Sequence, residues 1–350
     1  MRCPTLNELP PPATHQTGWP WTEESPQLDE VMADGSPWPR ISIVTPSYNQ
    51  AQFIEETIRS VLLQGYPNLE YIVIDGGSTD NSVEIIQKYE RWLTYWVSEP
   101  DQGQTHAINK GFARATGHLI SWLNSDDLLL PRALAQFAVA ARRFPHTILL
   151  GDAIHIHESY GFSRPMKQKN VTFQRMIQPW RYQNNTFWSQ PGTYVPAALN
   201  HQVGKLDESL HYVFDQEWLC RLLRIAPVHY MHVPVVKFRL HGDSKTVAKI
   251  TEWFQEEGVV IDRYAAQADV DQRLAQAVLE VRCALVYFRM HTWHRSQGLN
   301  HLKRAWQRDW RVLLLPEFGL AAIKAVTPFT LLKLARNLYH RKLRSSTPDV

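Results

Sequence analysis

Cysteine is scarce in these 350 residues: Cys3, Cys220 and Cys283 stand far apart, with no closely spaced pair among them. That pattern excludes a disulfide framework and a cysteine-based zinc site, and it suits a reducing compartment. Long apolar runs are missing as well. No stretch of ~18 apolar residues is available to span a bilayer, and no apolar run follows the first Met as a secretory signal would require. The expected location is therefore cytoplasmic. Net charge is small, +3 overall, but unevenly placed: ten Lys or Arg face three Asp or Glu between His301 and Val350, a local +7 that leaves −4 on the preceding 300 residues. A basic tail is joined to a mildly acidic globule.

With 44% apolar residues, the chain can bury the core of one domain and a smaller appendage. Thirteen Trp are many; they point to large apolar clefts or a membrane-facing surface, while some must simply be core. Residues 1–40 are rich in Pro, Thr, Glu and Gly and keep no period. They read as an extended, partly disordered leader that drapes over the domain through Trp19, Trp21 and Trp38. From Ile41 the pattern changes. A β-branched strand over Ile41–Thr45 ends in the polar turn Pro46–Gln50, and a helix follows with Phe53, Ile54, Thr57, Ile58, Val61 and Leu62 on one face. A second strand, Leu69–Ile74, runs into Asp75–Asp80, and a helix follows from Ser82 to Tyr89. Strand, helix, strand, helix predicts a parallel sheet with right-handed crossovers, whose ligand sits beyond the carboxyl ends of the strands. Next come the loop Glu99–Gly103 and a helix from Thr105, where Ala107, Gly111 and Ala115, four apart, permit close approach to the sheet. Asp101 and Lys110 are candidate base or phosphate contacts.

The stretch LISWLNSDDLLLP, Leu119–Pro131, carries the sharpest signal. It predicts a buried strand running into a turn with Asn124, Asp126 and Asp127, then a helix near Pro131. Adjacent carboxylates at the end of a central strand repel each other and lose hydration, and a divalent cation would compensate them. Mg2+ or Mn2+ held by so few carboxylates shares its remaining positions with water and diphosphate oxygens. Alternatively, the two Asp only cap the next helix. Further on, His155 and His157 share a strand face, but nothing nearby completes a metal site. A helix starting near Phe214 places Asp215 in its first turn, where a carboxylate in a partly desolvated cleft can serve as a base; Glu217 is its rival. Trp188–Thr193 is a donor-rich aromatic loop suited to a sugar ring, or an ordinary loop.

The run PSYNQAQFIEETIRSVLLQGYPNLEYIVIDGGSTDNS, followed by SEPDQGQTHAINKG and WLNSDD, resembles the family 2 glycosyltransferases of the GT-A fold, over residues 41–244. The resemblance implies an α/β GT-A fold, a Rossmann-like, mostly parallel sheet flanked by helices, with a C-terminal helical appendage. The domains would be the leader 1–40, the transferase domain 41–248 and a basic helical region 249–350. It implies an inverting transfer of sugar from a nucleotide-diphosphate donor (UDP, GDP or dTDP) to a saccharide or lipid-linked saccharide. Pro46, Ser47 and Tyr48 match the turn against base and ribose, Asp75 the nucleobase contact, and Asp101 a further nucleotide contact. Asn124–Asp127 matches the Asp-x-Asp(-Asp) element, so that Asp126 and Asp127 bind metal, with Asp126 also near the ribose. Asp215 aligns with the base of the family's Glu-Asp motif, and His241 opens a His-x-x-Ser turn, ending at Ser244, that reaches metal or diphosphate. Trp188, Gln190, Glu217 and Arg221 would line the acceptor side. Three departures stand out: Asn124 replaces a carboxylate, Gly76 replaces a common second Asp, and Phe214 replaces Glu.

No Gln-x-x-Arg-Trp signature and no membrane span is present, so one sugar added per encounter is expected rather than processive synthesis. A nucleotidyltransferase would need a Gly-rich triphosphate loop where this chain has PSYNQ, and an inactive binding module would have lost Asp215. The tail, with Trp306, Trp310, Phe318 and Phe329, either lies on an anionic membrane surface through residues 301–344 or packs on the domain with a solvated basic face. No nucleic-acid motif is present.

Overall fold

The computed structural model describes residues 1–157, 161–178, 186–241, 250–290 and 295–327. Strands β1 (Ile41–Ser47) and β2 (Leu69–Asp75) are buried at every position, as strands covered by helices on both faces must be. They pair in parallel with Ile41 opposite Leu69 and Ser47 opposite Asp75. β3 (Tyr95–Ser98) continues the sheet beyond β2, and β4 (Leu119–Trp122) lies on the other side of β1, both in parallel. The crossovers are α1 (Ile54–Leu62), α2 (Ser82–Lys88) and α3 (Gln104–Phe112). α1 buries Ile54, Ile58, Val61 and Leu62 on one stripe. α3 lies so close to β1 that a Cβ at Gly111 would stand 2.3 Å from Val44 Cγ1.

Past β4 the sheet turns antiparallel. β5 is only Leu128–Leu129, followed by α4 (Ala133–Arg143), β6 (Ile148–His157), β7 (Phe162–Met166), α5 (Phe173–Ile177), β8 (Thr193–Pro196), α6 (Ala197–Val203), α7 (Phe214–Leu222) and β9 (Val228–Leu240). The path across the sheet is β3-β2-β1-β4-β8-β6-β9-β5. The apolar step after Asp127 is thus a strand, with Leu129 opposite Val236 on β9. The next helix begins at Ala133, after Arg132 at φ 64°.

The leader is not loose. The Leu69 N–H donates to Met1 O (2.8 Å), the Cys3 N–H to Tyr66 O (2.9 Å) and the Leu28 N–H to Gly65 O (3.0 Å). Arg59 on α1, fully buried, donates to Pro10 O (2.8 Å), Pro20 O (3.0 Å) and Trp21 O (3.1 Å). Trp19 Nε1 reaches Leu129 O at 2.8 Å. Expected disorder gives way because α1 supplies a buried cation that the leader's carbonyls solvate.

By internal contact the chain forms two units. The first is Met1–Ile156, Pro165–Val171 and Thr186–Arg239; the second is His157–Arg164, Thr172–Asn185 and Leu240–Val350. The second unit therefore begins at Leu240 rather than at residue 249, and it recruits two earlier segments. Its helices are α8 (Ile250–Tyr264), α9 (Gln272–Met290), α10 (Arg295–Arg308) and α11 (Pro316–Val326), with a 3-10 turn at Trp310–Leu314. Val278, Val281, Leu285, Phe288 and Leu302 form its core, with Phe318 packed against them. Arg282 pairs with the buried Glu257 at 2.8 Å and ties α9 to α8. No described helix is long and apolar enough to cross a membrane. Ser244, Phe329 and the membrane-facing expectation over 328–344 lie outside the described residues.

Candidate active site

The carboxyl ends of β2, β1 and β4 stand side by side, and the polar turns meet there. Gly76 N–H donates to Ser47 O at 2.8 Å, and Leu123 N–H to Val44 O at 2.9 Å. A Cβ at Gly76 would lie 2.6 Å from Asp101 Oδ2. An Asp at position 76 would displace Asp101, which explains the glycine there. Asp101 Oδ1 accepts the Gly103 N–H at 2.7 Å, and Gln104 Nε2 donates to Asn124 Oδ1 at 2.8 Å. The β3–α3 loop is thereby joined both to the Asp75 turn and to the Asn124 turn.

Asp75 is fully buried, and its oxygens accept Gly77 N–H (3.1 Å), Ser78 N–H (2.8 Å), Ser78 Oγ (2.5 Å) and Ser98 Oγ (2.7 Å). These donors fix the turn. Ser47 Oγ is buried without a hydrogen-bond partner, so a donor–acceptor hydroxyl is left over at the strand end. Pro46 is buried in register with Ile74, and Tyr48 is 59% exposed beside it.

Asp127 has no exposed surface, whereas Asp126 is half-buried. The Asp127 carboxylate accepts the Arg239 N–H at 3.0 Å and lies 3.4 Å from Asn124 Nδ2. Burial, and then the neighbouring Asp126 charge, push the Asp127 carboxyl well above the usual carboxylate range, against the opposing pull of Arg239. The turn is bolted to α1 by three polar residues at helical spacing. Thr57 Oγ1 lies 2.9 Å from Ser125 O and 2.8 Å from Asp127 O, Ser60 Oγ accepts the Leu129 N–H (3.1 Å), and Gln64 Nε2 donates to Leu130 O (2.9 Å). Arg239 completes the frame: it bonds Glu56 at 2.7 Å and lies over the Phe53 ring.

The sequence placed Thr57 on the helix face but gave it no part in the site, and Ser60, Gln64 and Arg239 were not singled out. A polar stripe at positions 57, 60 and 64 inside an apolar helix face was the available signal; Arg239 offered none, because its partners are distant in sequence.

The acceptor-side expectations divide. Gln190 is buried, and its Nε2 donates to Trp122 O at 3.1 Å, two residues before Asn124. Trp188 Nε1 donates to Thr193 Oγ1 at 2.9 Å. α7 begins at Phe214 as expected, and Trp122 packs against Trp218 (5.0 Å) and Phe214 (6.2 Å). Phe214 therefore fills an apolar contact where a charge would be buried unpaired. Asp215, in the first turn, is half-buried, and its Oδ1 accepts the Gln216 N–H at 2.7 Å. Glu217 and Arg221 take a different role from the expected sugar contacts. Glu217 is 2% exposed and accepts from Arg221 Nε through both oxygens (3.1 and 3.0 Å), while Arg221 also donates to Val203 O. This pair, with the Arg221 bond to Val203 O, fastens α7 to the end of α6. Lys110 is likewise engaged, with Glu99 at 2.8 Å.

His241 follows β9 directly, is buried, and belongs to the second unit. His155 sits between the Phe187 and Phe238 rings, and His157 stacks on Phe162. Among the described residues no group of three or more His, Cys, Asp or Glu is placed to hold a metal. Asp126 and Asp127 still fit a cation that takes few protein ligands. Burial and the neighbouring Asp126 raise the Asp127 carboxyl, which a cation would relieve, and Mg2+ or Mn2+ completes its sphere with water and phosphate.

The glycosyl transferase family 2 model matches residues 42–202. An uncharacterised glycosyltransferase of Mycobacterium tuberculosis is 42% identical over 191 residues, 52% of this chain and 68% of that protein. The putative teichuronic acid biosynthesis glycosyltransferase TuaG of Bacillus subtilis is 40% identical over 92 residues, 25% of this chain and 36% of that protein. An uncharacterised glycosyltransferase of Rickettsia felis is 26% identical over 228 residues, 61% of this chain; the match spans 36% of that protein. Among solved structures, Staphylococcus aureus TarS residues 1–349 in complex with UDP-GlcNAc superposes with a TM-score of 0.57 at 19% identity, covering 82% of this chain and 88% of that one.

Proposed function

This chain belongs to glycosyl transferase family 2, and from that premise we propose that it moves a sugar from a nucleotide-diphosphate donor to a hydroxyl of a saccharide or lipid-linked saccharide, with inversion and one sugar per encounter. The observation that carries the proposal is the juxtaposition of the unpartnered Ser47 Oγ, the Asp75–Asp101 turns and the frustrated Asp126–Asp127 pair at adjoining strand ends. Ser47 and Tyr48 would hold the nucleoside, one by a hydroxyl and one by an exposed ring. Pro46 sets the turn, while Asp75 and Asp101 shape the floor below the base. Asp126, the more exposed carboxylate, would hold a divalent cation with Asp127 behind it. When bound, the cation would neutralise charge on the departing diphosphate. Asp215 would take the proton of the attacking hydroxyl, since it is a half-buried carboxylate in the first turn of α7 that a hydroxyl can still reach. Trp188 and Gln190 would shape the acceptor side.

Binding of UDP, GDP and dTDP, each with and without Mn2+, tests the donor site. One nucleotide should bind in a metal-dependent manner, and Asp126→Ala should abolish that dependence. Asp215→Asn should retain nucleotide binding yet lower the transfer rate by about 10²–10⁴-fold. Equal binding of all three without metal would sink the reading.

A further inference from the structure

Seven of the twelve large apolar side chains that stand exposed among the described residues fall between Leu299 and Ile323; the other five are scattered singly. Trp306 is 55% exposed, Trp310 62%, Leu314 73% and Ile323 62%. α11 sharpens the point. Its inward side packs Phe318 and Ala321 into the core of the second unit. Its exposed positions are Pro316, Gly319, Leu320, Ala322 and Ile323, none of them polar, while Glu317 and Lys324 are half-buried. A helix that is apolar on both sides belongs in a core or against a nonaqueous phase. α10, the 3-10 turn and α11 pack against one another, so the exposed side chains crown a single helical corner. That concentration exceeds the scatter of apolar groups normal for a soluble surface.

The charge around this corner selects the occupant. Between Arg295 and Thr327 six Lys or Arg face two Asp or Glu. Arg304 and Arg308 share Glu280 at 3.1 and 3.7 Å, and Arg311 reaches Asp271. These two acids absorb part of the surplus, and the balance stays positive. At 11 residues, α11 is ~16 Å long, about half a hydrocarbon core of ~30 Å, so it can lie in an interface but not cross it. Trp favours the headgroup level, and each cation near an anionic leaflet adds ~1 kcal/mol.

We propose that the corner formed by α10, the Trp310–Leu314 turn and α11 docks on the surface of an anionic lipid bilayer, with Trp310, Leu314, Leu320 and Ile323 inserted and Lys303 and Arg308 at the headgroups. Docking there would hold the enzyme in the plane where lipid-linked molecules diffuse. The inference stands independently of the transferase reading, because none of these residues belongs to the nucleotide or base positions.

The test is co-sedimentation of the full chain with phosphatidylglycerol/phosphatidylcholine vesicles and with pure phosphatidylcholine vesicles, at low and high salt. The chain should bind the mixed vesicles, with a blue shift of Trp emission, and weaken on the neutral ones. The full chain carrying Trp310→Ser, Leu314→Ser, Leu320→Ser and Ile323→Ser should lose at least ~10-fold in partitioning, since ~1.4 kcal/mol of lost insertion already gives that factor. It should still unfold cooperatively and bind nucleotide as the wild type does, because the four side chains are 43–73% exposed and none belongs to the nucleotide positions. Failure of the wild type to partition would overturn the proposal, as would equal partitioning of the variant. A wild-type dimer that becomes monomeric in the variant, with no vesicle binding by either, would assign the corner to a second copy instead. Loss of nucleotide binding in the wild type would strike the transferase reading and leave this one standing.

Discussion

Asp127 is held in a way that works against the fold when no cation is present. It is pushed upward by burial and then by Asp126, whereas around Glu70, Asp80 and Glu280 the hydrogen-bond donors outweigh burial and hold the carboxyl low. A carboxyl whose folded pKa is raised contributes stability that is complete below its unfolded pKa and is lost as pH rises through its folded one. The chelated protein should therefore melt higher as pH falls from neutrality toward the carboxylate range. Asp127→Asn removes the charge and keeps an acceptor for the Arg239 N–H. That variant should melt higher than wild type at neutral pH in chelator, by about 2–4 °C for each 1 kcal/mol recovered, and should lose any Mn2+-induced rise. Calorimetry with and without Mn2+ checks both; a variant less stable than wild type in chelator would show that the buried charge is already compensated. Such a trade of stability for a poised charge is expected where a site must accept a ligand.

α1 is the element that makes the site rigid, and its two faces do different work. One stripe, Thr57, Ser60 and Gln64, grips residues 125–130; the other presents Arg59 to the leader. The guanidinium is fully buried and also donates to Tyr89 Oη (3.2 Å), which in turn donates to Glu55 (2.9 Å). Arg59→Met should leave the Pro10, Pro20 and Trp21 carbonyls unsatisfied at about 1–3 kcal/mol each where they stay dry. The leader should then detach, read as rapid proteolysis within residues 11–18 and a lower urea midpoint; a protease pattern like that of wild type would refute the clamp. The regular elements were legible in the sequence because a short continuous apolar run marks a strand buried on both faces, as at Leu69–Ile74, and an apolar stripe at helical spacing marks a helix, as on α1. The turn residues Ser47, Asp75 and Asp126 were legible because strand ends in parallel sheets face one way. The leader was not, because its order comes from partners such as Arg59 and Leu129, and a chain with no period of its own reads as disorder. The Glu217–Arg221 pair was not legible, because an i, i+4 spacing looks the same in sequence whether its charges face a ligand or each other.

The whole molecule is interleaved along the chain. The second unit takes His157–Arg164 and Thr172–Asn185 from within the span of the transferase domain. No composition shift marks these segments, which is why the sequence placed one boundary near residue 248 and missed the exchange. α5 shows the consequence. Within its own unit, Phe173 meets Tyr264 edge to face at 5.7 Å, and Gln178 Nε2 donates to Ala268 O at 3.4 Å. Phe173 and Met176 are 8% exposed and Ile177 is fully buried. A chain ended after Arg239 keeps every residue of β1–β4 and the Asp215 helix, so a modular view predicts a stable transferase core. The interleaved arrangement predicts otherwise. Removing α8 and the turn after it takes away the Tyr264 and Ala268 partners, and each large side chain newly wetted costs about 1.5–3 kcal/mol. A chain of residues 1–239 should therefore be aggregation-prone, bind a hydrophobic dye and melt well below the full protein, whereas Phe173→Ser, Met176→Ser and Ile177→Ser in that same truncated chain should restore solubility by wetting α5 without penalty. If residues 1–239 instead stay monomeric and melt as the full chain does, α5 does not depend on α8 and the turn after it.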